Sequence, residues 1–249
     1  MSSTSEKTVL FLGGSSDIAL AIAHKYAQNG FKIVLTARQV EKLEAVCLDF
    51  KVRYSKEVKV VGLDVSCPDS RKQFLGEIES LAPFNGIVCA IGSMSDQSQA
   101  EKELGLAATM MELNFTQSCL MLEHTLAYLD RRQSFIVGIS SVAGDRGRKK
   151  NYFYGAAKAG FSAYLSGLRN RLSGDGVQVL TVKPGFVDTK MTKGMDLPRA
   201  LVVGPDKVAR DIYRAQVKGK NQIYAPWFWY WILLVIRSVP ESLFKKLNI

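Results

Sequence analysis

The sequence predicts a doubly wound α/β protein, built on a mostly parallel sheet of about seven strands with helices on both faces. Three observations carry this expectation. Short apolar runs recur along the chain and alternate with longer stretches whose apolar residues repeat at helical spacing. The first run enters a glycine-bearing turn that opens directly into such a stretch, as strand, turn and helix do in parallel α/β units. The 249 residues, 47% of them hydrophobic, suffice for one full core, and no repeat or linker-like stretch divides them. One domain over residues 1–249 is therefore expected.

Thr8–Leu12 reads as the first strand, and Gly13-Gly14-Ser15-Ser16-Asp17-Ile18-Ala19 as the turn after it. Ile18, Ala21, Ile22 and Tyr26 then repeat at helical spacing as far as Gly30. Such a turn presents backbone N–H groups at a helix N-terminus, where a pyrophosphate binds. Gly13, Ser15, Ser16, Asp17 and Ile18 are the candidate contacts, with Ser15 and Ser16 as hydroxyl donors and Asp17 suited to cap the helix. Lys32–Thr36 is the second strand, followed by Ala37-Arg38-Gln39. An NAD-type site wants a carboxylate there to hold the ribose diol. Arg38 suits a 2′-phosphate instead, so NADP(H) is expected over NAD(H), with use of NAD(H) left open.

Glu41–Phe50 reads as an amphipathic helix and Val58–Leu63 as a strand running into Asp64-Val65. Pro68 fits the first turn of a helix that ends near Leu81, and Gly86–Ile91 is the next strand. Residues 101–129 read as one long helix carrying a polar Asn114 between Leu113 and Phe115. Phe135–Ile139, Val177–Val182 and Gln222–Tyr224 are the remaining strands, with helices over residues 154–171 and 205–217. The strand order expected for this pattern is 3-2-1-4-5-6-7.

Chemistry concentrates in Ser140-Ser141-Val142-Ala143-Gly144 and Tyr154-Gly155-Ala156-Ala157-Lys158. Ser141 falls just past a strand's C-terminal end, where open α/β sheets place their ligands. Tyr154 and Lys158, four apart, share one helical face. Reducing a ketone leaves negative charge on its oxygen, so a proton donor must stand within reach of it. Tyr154 suits the acid. Lys158 is expected to pull its pKa down from about 10, and Ser141 to donate a hydrogen bond to the same oxygen. Ser140 and Tyr152 have the wrong spacing and read as structural.

These residues, with the serine thirteen positions before the tyrosine, make the chain resemble the short-chain dehydrogenase/reductase family over nearly its whole length. The resemblance implies a Rossmann-type fold, with Ser141, Tyr154 and Lys158 as the catalytic residues. It implies that Asn114 holds a water of a proton relay to the lysine, beside the plainer reading of a satisfied core amide. It also implies further cofactor contacts: Asp64 and Val65 flanking the adenine, Ala90 and Gly92 allowing close backbone approach, and Tyr154 and Lys158 themselves. Lys183-Pro184-Gly185-Phe186-Val187-Asp188-Thr189 resembles the family's Pro-Gly-x-x-x-Thr, which implies that Pro184, Gly185, Val187 and Thr189 hold the nicotinamide. Two departures stand out. Of Gly-x-x-x-Gly-x-Gly only Gly13 is kept, with Asp17 and Ala19 at the other places, and Cys89-Ala90-Ile91-Gly92 replaces Asn-Asn-Ala-Gly.

Residues 144–154 and the tail from Ala225 resemble the family's branch that reduces a keto group on polyprenyl-phosphate-linked sugars, which implies a lipid-linked carbonyl substrate. A general carbonyl or 3-oxoacyl reductase, and a catalytically silent cofactor-binding scaffold, stand as alternatives. Residues 190–204, with Met191 and Met195, read as a substrate lid. The resemblance also implies a homodimer or homotetramer formed through helices 101–129 and 154–171, where Ala156, Ala159, Gly160, Ala163 and Gly167 leave room for close approach.

The four cysteines lie far apart with only two histidines, which points to free thiols and to no metal site. A net charge of +10 with no nucleic-acid motif points to an anionic ligand or surface and not to nucleic acid, beside the plainer reading of a solvated basic surface. The polar Met1–Lys7 and the short Val9–Leu12 run do not make a signal peptide, so a cytoplasmic protein is expected. Residues 227–236 are ten consecutive apolar residues, half the length of a spanning helix. Beside Arg237, Lys245 and Lys246, segment 226–249 is read as a peripheral contact with the cytoplasmic face of a membrane, against the plainer reading of a core or interface helix.

Overall fold

A computed structural model of the protein describes residues 6–131 and 133–247. The expectations for Met1–Ser5, and for Asn248 and Ile249 at the end of segment 226–249, fall outside the described residues. Seven strands form one sheet: β1 (Thr8–Leu12), β2 (Lys32–Ala37), β3 (Val58–Gly62), β4 (Gly86–Cys89), β5 (Phe135–Ile139), β6 (Gln178–Pro184) and β7 (Gln222–Ala225). Their order is β3-β2-β1-β4-β5-β6-β7, and every pairing is parallel.

A parallel sheet is covered on both faces, which is why its strands read as nearly unbroken apolar runs. The two faces divide the residues of each strand by parity. Val9 and Phe11 of β1, with Phe135, Val137 and Ile139 of β5, pack into one core. Leu10 and Leu12, with Ile136, pack into the other. The helices are α1 (Asp17–Gln28), α2 (Glu44–Tyr54), α3 (Pro68–Glu79), α4 (Gln97–Lys102), α5 (Leu104–Met111), α6 (Ser118–Thr125), α7 (Tyr152–Leu172), α8 (Pro205–Val217), α9 (Trp229–Ser238) and α10 (Glu241–Phe244). Between β1 and β4 the order of winding reverses, which opens a crevice at the carboxyl ends of the strands.

Two expectations about elements are corrected. The single helix over 101–129 is broken into five pieces: α4 stops at Lys102, α5 starts at Leu104, Glu112–Gln117 is a π-helical turn set between α5 and α6, and a 3₁₀ turn over Leu126–Tyr128 follows. Asn114 causes the widening locally: its Nδ2 donates to the Met110 carbonyl at 2.8 Å, and Ser118 Oγ donates to the Leu113 carbonyl at 2.8 Å. The helix over 41–50 starts later, after a 3₁₀ turn at Val40–Leu43, and runs on to Tyr54. The apolar stretch 227–236 becomes helical from Trp229 and continues to Ser238, with α10 behind it.

Candidate active site

The crevice holds a cavity of about 610 Å³ whose wall runs from Arg38 and Asp64 at one end to Thr189 and Met195 at the other. Its floor begins at Gly13, whose φ of +77° and approach to Ala90 leave no room for a side chain: a Cβ there would lie 2.8 Å from the Ala90 carbonyl carbon. The Ser16 hydroxyl accepts from the Ala19 N–H at 3.1 Å and so caps α1. This corrects the expectation for Asp17, which sits one residue inside the helix. Its carboxylate is turned to the loop after β6, accepting from the Lys190 N–H at 2.7 Å with Lys190 Nζ 3.6 Å away. Lys190 thus answers the negative charge that the departure from the glycine pattern brings to this turn.

At the end of β2, Arg38 is exposed on the cavity wall and joins no salt bridge among the described residues. Asp64 faces the same end, its Oδ1 accepting from the Ser66 N–H at 2.9 Å. Val65 follows Asp64 at that end, Ala90 and Gly92 line the cavity past β4, and Pro184, Gly185, Val187 and Thr189 line it past β6. One contributor there escaped sequence reasoning. Thr192 Oγ1 donates to the Val187 carbonyl at 2.6 Å and accepts from the Thr189 N–H at 3.1 Å, so it holds the shape of the turn after β6. A threonine three residues beyond the last motif position carries no signal of its own.

Ser141, Tyr154 and Lys158 meet on this wall. Ser141 follows β5 directly and starts a 3₁₀ turn, its hydroxyl accepting from the Ala143 N–H at 3.1 Å. That turn lies against the backbone of α7 so closely that a Cβ on Gly144 would be 2.7 Å from the Ala159 nitrogen. Ser140 adds a second tie: its hydroxyl donates to the Lys158 carbonyl at 3.0 Å and pairs with Ser162 at 2.6 Å. The structural reading of Ser140 therefore stands. These contacts fix Ser141 on the same cavity wall as Tyr154, where its hydroxyl acts on the phenol.

Lys158 is 3% exposed, and its ammonium donates to the Ile139 carbonyl at 3.0 Å. It lies 5.8 Å from the centroid of the Tyr154 ring. Burial lowers its pKa from the usual 10.5 to about 8. Burial likewise pushes the Tyr154 phenol up to about 12, with the Ser141 hydroxyl acting in the opposite direction. The tyrosine pKa therefore rises where a fall was expected. Two buried groups each lose solvation when charged, and the ammonium is engaged by a backbone carbonyl instead of the phenol. Asn114 is fully buried, donating to the carbonyls of Ser93 at 2.6 Å and Met110 at 2.8 Å. Its Oδ1 has no partner and flanks Gly92: a Cβ on that glycine would lie 2.6 Å from Asn114 Oδ1 and 3.4 Å from Lys158 Nζ.

The residues present fit a nicotinamide dinucleotide. The glycine floor admits a backbone-hugging ligand, Arg38 offers an exposed guanidinium at one end, and Ser141, Tyr154 and Lys158 stand together toward the other. Comparison with known proteins bears on this arrangement. Residues 7–199 match the family model described as short chain dehydrogenase. A protein of Mycobacterium tuberculosis named as an uncharacterized oxidoreductase is 31% identical over 99% of each chain. The fold resembles that of a short-chain dehydrogenase from Sphingobium yanoikuyae in complex with NADPH, with a TM-score of 0.78 at 20% identity over 95% of this chain and 97% of that one. It also resembles actinorhodin polyketide ketoreductase with NADPH, with a TM-score of 0.77 at 22% identity over 89% of this chain and 96% of that one. The matched span reaches from the first strand through the Ser141, Tyr154 and Lys158 cluster to the turn after β6, and the chain belongs to the short-chain dehydrogenase/reductase family of oxidoreductases.

Proposed function

We propose that the protein reduces a ketone to a secondary alcohol with NADPH, and that the ketone is a keto group on a polyprenyl-phosphate-linked sugar presented at a membrane surface. The observation that carries the reaction is the meeting of Ser141, Tyr154 and the buried Lys158 on the wall of one cavity. When bound, the dinucleotide supplies the hydride. Tyr154, whose pKa of about 12 keeps the phenol protonated at neutral pH, donates its proton to the oxygen that gains charge. Ser141 donates a hydrogen bond to the same oxygen. Lys158, with its pKa near 8, is largely ammonium at pH 7 and offsets the phenolate left behind. The unpartnered Asn114 Oδ1, near Lys158 Nζ across Gly92, suits a water through which the proton is replaced.

NADPH over NADH rests on Arg38, and the NADPH-bound relatives in fold support that choice. The lipid-linked substrate is supported by α9 and the basic residues beyond it. Trp229 and Leu233 are buried against Val142 and Phe186, so the helix backs the cavity wall. Its other face leaves Trp227, Tyr230, Trp231, Leu234 and Val235 exposed, with Trp227 at 70%. Aromatic rings beside Arg237, Lys245 and Lys246 suit the headgroup layer of an anionic membrane, and no helix of the described residues is long and apolar enough to cross one. Segment 190–204 forms part of the cavity mouth through Met191 and Met195, which suits a lid. A second copy of the chain would cover Leu104, Met111, Phe115 and Leu120, all exposed beside α7, whose Ala156, Ala163 and Gly167 are also exposed.

The test is NADPH oxidation by the purified protein with a lipid-linked keto-sugar against simple ketones, NADH being run in parallel. Tyr154→Phe should lower kcat about 100-fold or more on any ketone that is turned over while leaving NADPH binding intact, since only the proton donor is lost. A variant keeping more than about a tenth of wild-type kcat would overturn the assignment of Tyr154.

A further inference from the structure

The loop from Ser141 to Tyr154 carries Asp145-Arg146-Gly147-Arg148-Lys149-Lys150-Asn151, a dense run of charge that the reduction chemistry leaves unused. The structure gives its members different employment. Both oxygens of Asp145 are taken, by Lys183 Nζ at 2.6 Å and by the Tyr224 hydroxyl at 2.6 Å. Arg146 is fully occupied by the C-terminal segment: its guanidinium donates to the carbonyls of Ile236 and Val239 at 2.6 Å each and to Glu241 at 2.7 Å, and it lies 3.6 Å from the Phe244 ring centre. Lys149 and Lys150 are exposed. Arg148 alone of the basic residues in this run turns into the cavity.

There it has no partner. No hydrogen bond or ion pair to its side chain exists among the described residues, its Nε is wholly buried, and Asp145, the carboxylate that acts on its charge, has both oxygens bonded to other groups. Burial lowers its pKa below the usual arginine value, with the Asp145 carboxylate opposing the shift only in part. Asn151 repeats the pattern. It stands at the N-cap of α7, where an asparagine side chain ordinarily accepts from the helix, yet it makes no such bond, and its Oδ1 is buried without a partner. Six buried side-chain polar atoms lack partners among the described residues, and the two whose residues line the cavity are those of Arg148 and Asn151. Buried polar groups that forgo every protein partner are explained most simply by a ligand that supplies one.

We propose that Arg148 and Asn151 form the substrate-recognition subsite for a phosphate ester, Arg148 binding the phosphate and Asn151 a neighbouring hydroxyl. The inference deepens the function proposed above, on which it rests for the position of the carbonyl. A guanidinium matches phosphate with two parallel N–H donors, and Asn151 Oδ1, one helical turn from Tyr154, suits a hydroxyl donor near the reacting carbon. The subsite therefore selects ketones that carry a phosphate close to the carbonyl and rejects neutral ketones.

The experiment titrates the NADP⁺-saturated protein, in which the site near Arg38 is filled, with methyl phosphate and, in a second arm, with geranyl phosphate, by calorimetry. Both should bind the wild type, and Arg148→Gln should weaken both at least tenfold while the Kd for NADPH stays within twofold. Arg148→Lys should keep an intermediate affinity for both, which preserves the test if the glutamine variant does not fold. Lys149→Gln, on the exposed side of the same loop, should bind as wild type does. Failure of the wild type to bind either ester, equal binding by Arg148→Gln, or a parallel loss of NADPH affinity would each overturn the subsite. Tighter binding of geranyl than of methyl phosphate supports a lipid-linked substrate. Equal binding of the two, with both lost on Arg148→Gln, keeps the phosphate subsite and overturns the lipid-linked reading.

Discussion

Replacing Lys158 by methionine removes a buried charge while keeping the length of the side chain, and the consequence depends on pH in a calculable way. Unfolded, the lysine has a pKa of about 10.5; folded, about 8. Below pH 8 both states carry the proton and the burial penalty is present in full. Between the two values the unfolded chain binds a proton that the folded chain does not, so stability rises with pH relative to a chain lacking the group. From pH 7 to pH 10 this amounts to about 2.5 kcal/mol in favour of the wild type, since each pH unit crossed between the two pKa values contributes about 1.36 kcal/mol. The loss of the bond to the Ile139 carbonyl adds a cost to the variant that does not vary with pH. The assay is urea unfolding of both proteins, without cofactor, at pH 7, 8.5 and 10, read as the difference in unfolding free energy. A difference that stays constant within about 1 kcal/mol, or that moves in favour of the variant, would refute the claim that Lys158 is held against its own charge.

Asp145→Ala strands the Lys183 ammonium, 8% exposed, and should cost about 3–5 kcal/mol in the same unfolding assay, part of which Lys183→Met in the same chain should restore. Arg38→Asp should weaken NADPH about tenfold or more while sparing NADH, as read by fluorescence titration, because a charge-assisted bond to phosphate is worth roughly 1.5–3 kcal/mol. In liposome flotation the wild type should bind anionic vesicles in a salt-sensitive manner, and Trp227→Ser with Trp231→Ser should abolish binding. These rings are 70% and 56% exposed, so their loss spares the core, whereas truncation at Ala225 would remove the buried Trp229 and Leu233. Light scattering at micromolar concentration should show a dimer or tetramer, and a monomer would exclude α7 as a subunit interface.

Strands are the most legible part of the chain, because burial on both faces forces runs such as Phe135–Ile139 to be apolar throughout. The serine, tyrosine and lysine of the site are equally legible, since two of them lie on one helix and the third at a strand end. What escapes is what depends on contacts between distant residues or on a single widened turn. A π turn at Glu112–Gln117 leaves helical periodicity almost unchanged over its neighbours, so nothing in the spacing of Leu113 and Phe115 announces it. The direction in which the Tyr154 pKa moves is hidden from the sequence because the lysine's partner is the Ile139 carbonyl, 19 residues away along the chain. Residues 227–236 show no period because both faces of α9 are apolar, one for Val142 and Phe186 and the other left exposed.

The consequence of Arg146 reaches furthest into function. Its guanidinium closes the end of α9 through the Ile236 and Val239 carbonyls and holds α10 through Glu241 and Phe244. Five residues before it stands Ser141, and two residues after it Arg148 enters the cavity. The helix it closes packs Trp229 against Phe186, which lines the same cavity, with ring centres 4.9 Å apart. The C-terminal segment is therefore tied both to the loop that carries Ser141 and Arg148 and to the turn after β6, which line the same cavity. If the exposed face of α9 rests on a lipid surface, as proposed, this bracing holds the cavity at a constant height and tilt above the headgroups. A substrate whose tail stays in the bilayer can then offer its phosphate and carbonyl to Arg148 and Tyr154 without leaving the membrane, and the ordering of α9 is completed before the substrate arrives.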